Sequence, residues 1–297
     1  MLGTQTLVVA DGRRLCYEVA GDPAGTPVLV HNGTPNSRHL YGPWAVDAAS
    51  KGLCLIGYDR PGYGASSPLP DHSVASGVED VRAIADHMGF DRFATWGVSG
   101  GGPFALACAA LLPDRVMAAA AVASVAPYGQ EGLAFYEGMG ESNAESFRLF
   151  VSDRQAARRK THENWLLYTS VPPEQVTRDL LAEVMASLLC PADREALTEE
   201  FTRWFVTSLY DGLAPGDQGW WDDTFAHMTD WGFDLSSIRV PVKVWHGQQD
   251  HFVPIQHGEW LAATIPGAEV EILGDDGHLS LIARIGPVHD WLLEYLT

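Results

Sequence analysis

A serine set among glycines, Gly97-Val98-Ser99-Gly100-Gly101, lies between a short apolar run, Phe93–Gly97, and an apolar helical stretch, Pro103–Leu112. A tight turn between a strand and a helix holds a serine in a strained backbone conformation and lifts its hydroxyl clear of the sheet. Gly97 and Gly101 suit that turn, since a side chain at either place would collide across it. The helix that follows offers free backbone N–H groups and the positive end of its dipole beside the serine. G-x-S-x-G alone recurs by chance; between a strand and a helix it is far more specific.

A serine hydroxyl is a weak nucleophile until a base takes its proton. Among the 11 histidines the best placed base is His278, in Gly274-Asp275-Asp276-Gly277-His278-Leu279, with His246, His251 and His257 as late alternatives. An acid must hold the imidazole in one tautomer. Asp250, just after the apolar run Val240–Trp245, fits that task. Asp275 and Asp276 adjoin His278 in the chain and would struggle to reach its ring. Acyl transfer also creates an oxyanion that two preorganised N–H groups can stabilise. Gly100, the residue after the serine, can offer one. Thr34, in the polar loop His31-Asn32-Gly33-Thr34-Pro35, can offer the other.

These residues need a scaffold. Thr6–Ala10 and Arg14–Val19 flank Asp11-Gly12 and read as a hairpin. Pro27–His31, Leu53–Tyr58, Phe93–Gly97 and Val116–Val125 are apolar on both faces, as strands of a buried parallel sheet are. Val74, Val78, Val81, Ile84 and Met88 form one face of a helix that Gly89 can terminate. This alternation predicts a doubly wound α/β sheet. From about Pro127 to Trp231 the pattern is helical instead, with stretches such as Glu174–Leu189 and Arg194–Leu209, and with Pro172-Pro173 and Pro191 as helix starts. Strand logic resumes at Val240–Trp245 and Glu269–Leu273, and a helix over Val288–Leu296 closes the chain.

Length and composition bound the rest. The 297 residues are enough for two units, or for one large α/β domain with an insertion. Lys+Arg 19 against Asp+Glu 38 leaves a net charge of -19, the wrong sign for phosphate backbones and for anionic membrane surfaces. Neither a nucleic acid nor a membrane is expected as a partner; a small-molecule substrate is. Cys16, Cys54, Cys108 and Cys190 are scattered through apolar stretches and read as core thiols in a reducing compartment. The N-terminus has no basic or apolar leader pattern, and the expected location is cytoplasmic.

Together, the order Ser99, Asp250, His278, the early Gly33-Thr34-Pro35 loop and the Asp59-Arg60-Pro61-Gly62-Tyr63-Gly64 segment resemble the α/β-hydrolase superfamily, in particular its capped serine hydrolases of the esterase and proline-iminopeptidase-like branch. The resemblance implies a mostly parallel eight-stranded sheet with a helical cap after the sixth strand. The corresponding division is a core of residues 1–126 and 233–297 and a cap of residues 127–232. The Asp59–Ser66 segment is then a structural loop beside the site. Many members carry His-Gly before the oxyanion residue. Here that pair is Asn32-Gly33, with His31 one residue early. Val98 and Gly100 are smaller than the residues iminopeptidases usually place around the nucleophile, and serine at 99 differs from the aspartate of haloalkane dehalogenases.

The expected chemistry is hydrolysis of a small to medium carboxylic ester, or an amide, through an acyl-enzyme on Ser99, with no metal or organic cofactor required. Phe135, Tyr136, Trp165, Trp220 and Trp221 are candidates to line the substrate pocket. An aminopeptidase would need acids for a substrate amine, for which Glu131, Glu137, Glu141 and Glu145 are the candidates. A small-molecule receptor, and a C–C hydrolase, perhydrolase or lyase on the same fold, are further alternatives.

Overall fold

A computed structural model describes residues 2–296; Met1 and Thr297, the outer limits of the expected core, lie outside the described residues. Eight strands form one sheet: β1 (Leu2–Val8), β2 (Arg14–Gly21), β3 (Thr26–His31), β4 (Leu53–Tyr58), β5 (Phe93–Val98), β6 (Val116–Val122), β7 (Val242–Gly247) and β8 (Glu269–Leu273). Their spatial order is β1-β2-β4-β3-β5-β6-β7-β8. β2 runs antiparallel to both β1 and β4, and every other pairing is parallel.

The central strands are buried because they are apolar on both faces, whereas the edge strands β1 and β8 are of mixed polarity and largely exposed. Leu29, Cys54 and Ile56 meet the helices Gly77–Met88, Gly102–Leu111 and Ile255–Thr264 on one side. Val28, Val30, Leu53 and Leu55 point the other way, toward Trp44 of the helix Gly42–Ser50 and Trp291 of the helix Gly286–Leu293. Neighbouring residues thus serve opposite layers, which is the period of two expected of a strand. Gly89 ends its helix in the left-handed region, with φ 74°, as its position predicts. All four cysteines are buried and unpaired.

The chain leaves β3 to build β4 on one side and returns to build β5 on the other. β3 and β5 are therefore neighbours whose following loops emerge together, at the point where a doubly wound sheet opens a crevice. Thr34 follows β3 and Ser99 follows β5. Asp250 follows β7 and His278 follows β8, so all four lie beyond the carboxyl ends of parallel strands.

Between β6 and β7 the described residues form helices and no strand. Two stretches expected to be continuous are broken. Residues 174–189 split into a short turn at Pro173–Gln175 and the helix Arg178–Val184, whose start is capped by Thr177 accepting from the Leu180 N–H at 3.2 Å. Residues 194–209 split between the helices Pro191–Ala196 and Glu199–Leu213, the second capped by Thr198 accepting from the Phe201 N–H at 3.1 Å. Both threonines satisfy orphan first-turn donors, and a new helix starts at each. The first hairpin also differs: β1 ends at Val8, and Val9 and Arg13 close a longer loop around Gly12, with φ 87°.

Candidate active site

Ser99 has φ 54°, the left-handed region that non-glycine residues rarely enter. Its neighbours explain how so sharp a turn is tolerated. A Cβ on Gly97 would strike the Gly101 carbonyl, and one on Gly101 would strike the His31 carbonyl. On Gly100 it would come within 2.5 Å of Thr34 Oγ1. The Gly100 N–H lies in the first turn of the segment Ser99–Gly101 and has no acceptor within that turn.

His278 is buried at the start of the helix His278–Ile282, its ring stacked on Phe252 with centroids 4.6 Å apart. Nδ1 lies 2.7 Å from Asp250 Oδ2. A carboxylate only accepts, so Nδ1 carries the proton and Nε2 is left as the basic nitrogen. Asp250 Oδ1 accepts from the Phe252 and Val253 N–H groups at 2.8 and 2.9 Å. Among the rival residues His246 comes near Asp250, its Nε2 3.6 Å from Oδ2, and the others lie elsewhere. Asp275 is exposed and Asp276 pairs with Arg284. His251 is exposed, and His257 joins the Ala126 N–H to the Phe135 carbonyl. His246 donates to the Val253 carbonyl at 2.7 Å, and burial lowers its pKa.

Ser99 and His278 line one small cavity with Thr34 and Phe252, without a direct hydrogen bond between hydroxyl and ring. Such bonds commonly tighten only when substrate is present. Gly33 approaches so closely that a Cβ there would sit 3.4 Å from Ser99 Cβ. The substitution of Asn32 for the usual histidine is also accounted for. Asn32 Nδ2 donates to the Ser37 and His39 carbonyls at 2.7 and 3.1 Å, pinning the loop. His31 turns into the core between Tyr58 Oη and Thr95 Oγ1, each at 3.0 Å, where burial and then Arg60 depress its pKa to about 3.

A larger cavity of about 200 Å³ opens from Ser99 and Thr34 under the helices between β6 and β7. Trp220 and Trp221 line it, with Phe147, Phe150, Tyr168 and Phe205, which the sequence did not single out. Phe135, Tyr136 and Trp165 do not reach it. Phe135 packs among Tyr128, Phe147 and His257; Tyr136 carries Arg148 over its ring; Trp165 donates to the Leu213 carbonyl at 3.1 Å. Among the described residues lining the cavity, none is Asp, Glu, Lys or Arg. Glu131, Glu137, Glu141 and Glu145 are all exposed; Glu141 pairs with Arg148 and Glu145 with Lys160.

Sequence reasoning gave Arg60 only a structural place, in the Asp59–Ser66 loop, and passed over Asp223 and His227. Arg60 and Asp223 form a buried ion pair, Nη2 to Oδ2 2.6 Å, beside Thr34. Burial alone would raise the Asp223 carboxyl; the charge and hydrogen bonds of Arg60, with His72 Nε2 3.5 Å away, outweigh it and hold the group well below the usual carboxylate range. His227 donates from Nε2 to the Gly100 carbonyl at 2.8 Å, and burial pushes its pKa down to about 4.

Residues 26–284 match the alpha/beta hydrolase fold family. The chain belongs to that family. It is 25% identical over 295 residues to a non-heme haloperoxidase from Rhodococcus erythropolis, covering 98% of each chain. It is 26% identical over 291 residues to a 2-hydroxy-6-oxononadienedioate/2-hydroxy-6-oxononatrienedioate hydrolase from Paraburkholderia phymatum, covering 95% of this chain and 91% of that one. The structure of an alpha/beta hydrolase fold protein from Nakamurella multipartita superposes with a TM-score of 0.64 at 28% identity, covering 99% of each chain. Family membership and hydrolase names among the relatives support an enzyme of the hydrolase type acting on a small molecule. No helix among the described residues is long and apolar enough to cross a membrane.

Proposed function

We propose that the protein is a serine hydrolase cleaving a small, uncharged carboxylic ester, with residues 127–232 acting as a cap over the site. The observation that carries this reading is a strained serine opening onto the same cavity as a histidine whose other nitrogen is bound to a buried carboxylate. His278 Nε2 takes the Ser99 proton as Oγ attacks the ester carbonyl. The carbonyl oxygen becomes an oxyanion facing the Thr34 and Gly100 N–H groups, and Asp250 stabilises the imidazolium. Collapse breaks the C–O bond, and the proton on His278 passes to the departing alkoxide. Water then gives a proton to the same nitrogen as its oxygen attacks the acyl carbon; the bond to Ser99 Oγ breaks, His278 returns the proton to Oγ, and the acid leaves.

The pocket wall selects among the alternatives. Burying an isolated charge is costly unless a partner meets it. A substrate amine, as in an aminopeptidase, calls for an acid, and a dicarboxylate such as the Paraburkholderia phymatum hydrolase's name describes calls for cations. Neither lines the larger cavity. At about 200 Å³ it falls below the roughly 300–1,000 Å³ of drug-sized sites, which suits a short acyl group. The test is turnover of p-nitrophenyl esters from acetate to decanoate and of aminoacyl anilides, beside Ser99→Ala and His278→Ala. Sustained release from short esters, lost in both variants, is the expected result. A single stoichiometric burst favours a receptor, and anilide cleavage an aminopeptidase.

A further inference from the structure

Two buried aspartates from the helices between β6 and β7 grip opposite sides of the candidate site. Asp223, in the helix Gln218–Met228, accepts from Thr34 Oγ1 at 2.7 Å, from Tyr63 Oη at 3.0 Å and from Arg60. The same guanidinium donates to the Asn32 carbonyl and, at 3.2 Å, to the Gly33 carbonyl. Asp223 and Arg60 thus clamp both the side chain and the backbone of the loop that presents the Thr34 N–H. Asp193, in the helix Pro191–Ala196, accepts from the His278 N–H at 3.2 Å and the Ser280 N–H at 2.9 Å, satisfying two first-turn donors of the helix that carries the base. The fit there is close, for a Cβ on Gly277 would come within 2.5 Å of Asp193 Oδ2. Both aspartates are fully buried.

We infer that Asp193 and Asp223 are positioning residues, the first setting His278 and the second the Thr34 loop, so that these helices are a fixed part of the catalytic apparatus as well as its cover. The inference rests on the proposed serine mechanism. Neither carboxylate touches substrate; each acts through the backbone or hydroxyl it holds. A buried hydrogen-bonded carboxylate has few alternative geometries, which is what precise placement of a base and an N–H donor requires.

The test is steady-state kinetics on p-nitrophenyl butyrate and the rate of fluorophosphonate labelling at Ser99, for Asp193→Asn, Asp223→Asn, Thr34→Val and Thr34→Ser. Leu181→Ala, which truncates a buried side chain of the helix Arg178–Val184 outside the cavity lining, supplies the comparison for lost stability alone. Both asparagine variants are expected to lower kcat roughly ten- to a hundredfold with KM little changed, and to slow labelling in step. Thr34→Val should match Asp223→Asn, while Thr34→Ser, which keeps the donated hydroxyl, should lose clearly less kcat than Thr34→Val. Leu181→Ala, assayed well below its Tm, should keep kcat. If an asparagine variant does not fold, the Thr34 pair decides the oxyanion side, and Asp193→Glu, expected to retain partial kcat by keeping the charge, decides the other. Wild-type kcat in the folded aspartate variants, or an equal loss in Leu181→Ala, overturns the inference. A wild-type protein that neither turns over the ester nor labels at Ser99 overturns the serine reading, and this inference with it.

Discussion

The Asp250 carboxylate is divided between two tasks: Oδ2 holds the His278 Nδ1 proton at 2.7 Å, and Oδ1 is fixed by two backbone N–H groups at 2.8 and 2.9 Å. Because the Oδ1 bonds set the angle of the carboxylate, the imidazole has one tautomer and one orientation available. Asp250→Asn keeps the shape and offers an N–H to Nδ1, which turns the ring's proton toward Ser99. A fall in kcat of about 10⁴ is expected, by analogy with other triads, with little loss of fold. Ester kinetics beside circular dichroism check it; activity within tenfold of wild type would place the base elsewhere.

The Arg60–Asp223 pair makes a prediction about stability. Each group is buried and each is the other's compensation. Arg60→Leu leaves the carboxylate uncompensated and should cost about 3–5 kcal/mol, as should Asp223→Leu with the charges exchanged. Combining them removes both charges, so the double variant should be more stable than either single one. Urea melts of the four proteins close the cycle, and additive losses would show that the pair is not coupled.

Much of this arrangement was legible because it is periodic or punctuated. Leu53–Tyr58 coincides with its strand, since an apolar run bounded by turn residues states its own limits; Glu269–Leu273 also coincides, through its β-branched residues Val270 and Ile272 alternating with glutamates. Ser99 announced itself through glycines that the turn requires for close approach. Asp223 and Asp193 carried no such signal. Each is one acidic residue on a helix of mixed composition, and its partners lie 189 positions away at Thr34 and 85 at His278. Long-range pairing of that kind leaves no local pattern. The same holds for Phe135, whose aromatic character suits a pocket wall as well as the packing with Tyr128 and His257 that the fold gives it.

His39 ties stability to pH. It bridges Glu18 of β2 at 3.0 Å and Asp211 of the helix Glu199–Leu213 at 3.1 Å. Hydrogen bonds to Asp211 and Glu18 raise its pKa to about 9, against burial and the nearby Arg38 charge. A raised folded-state pKa gives stability that is complete below the unfolded value of about 6.5 and is lost as pH rises through about 9. After solvent screening the contribution is about 1–2 kcal/mol, or roughly 2–5 °C in Tm. Subtracting the Tm of His39→Gln from that of wild type at each pH isolates it from the general repulsion of an acidic chain. A difference that stays level between pH 6 and 10 would rule the bridge out as the cause.

The uncharged wall of the larger cavity bears most directly on substrate choice. p-Nitrophenyl butyrate and mono-p-nitrophenyl succinate share a four-carbon acyl chain and a leaving group, and differ in a terminal carboxylate. With no Lys or Arg lining the cavity among the described residues, that carboxylate would lose its hydration without gaining a counter-charge. An unpaired buried charge costs several kcal/mol, so kcat/KM for the succinate ester should be lower by about a hundredfold or more. Because Ser146 lines the same wall, Ser146→Arg would supply the missing partner and should narrow the ratio by lowering the butyrate rate and raising the succinate rate. Comparable kcat/KM for the two esters in the wild-type protein would mean that the acyl group lies outside this cavity, and the neutral-ester assignment would fall with it.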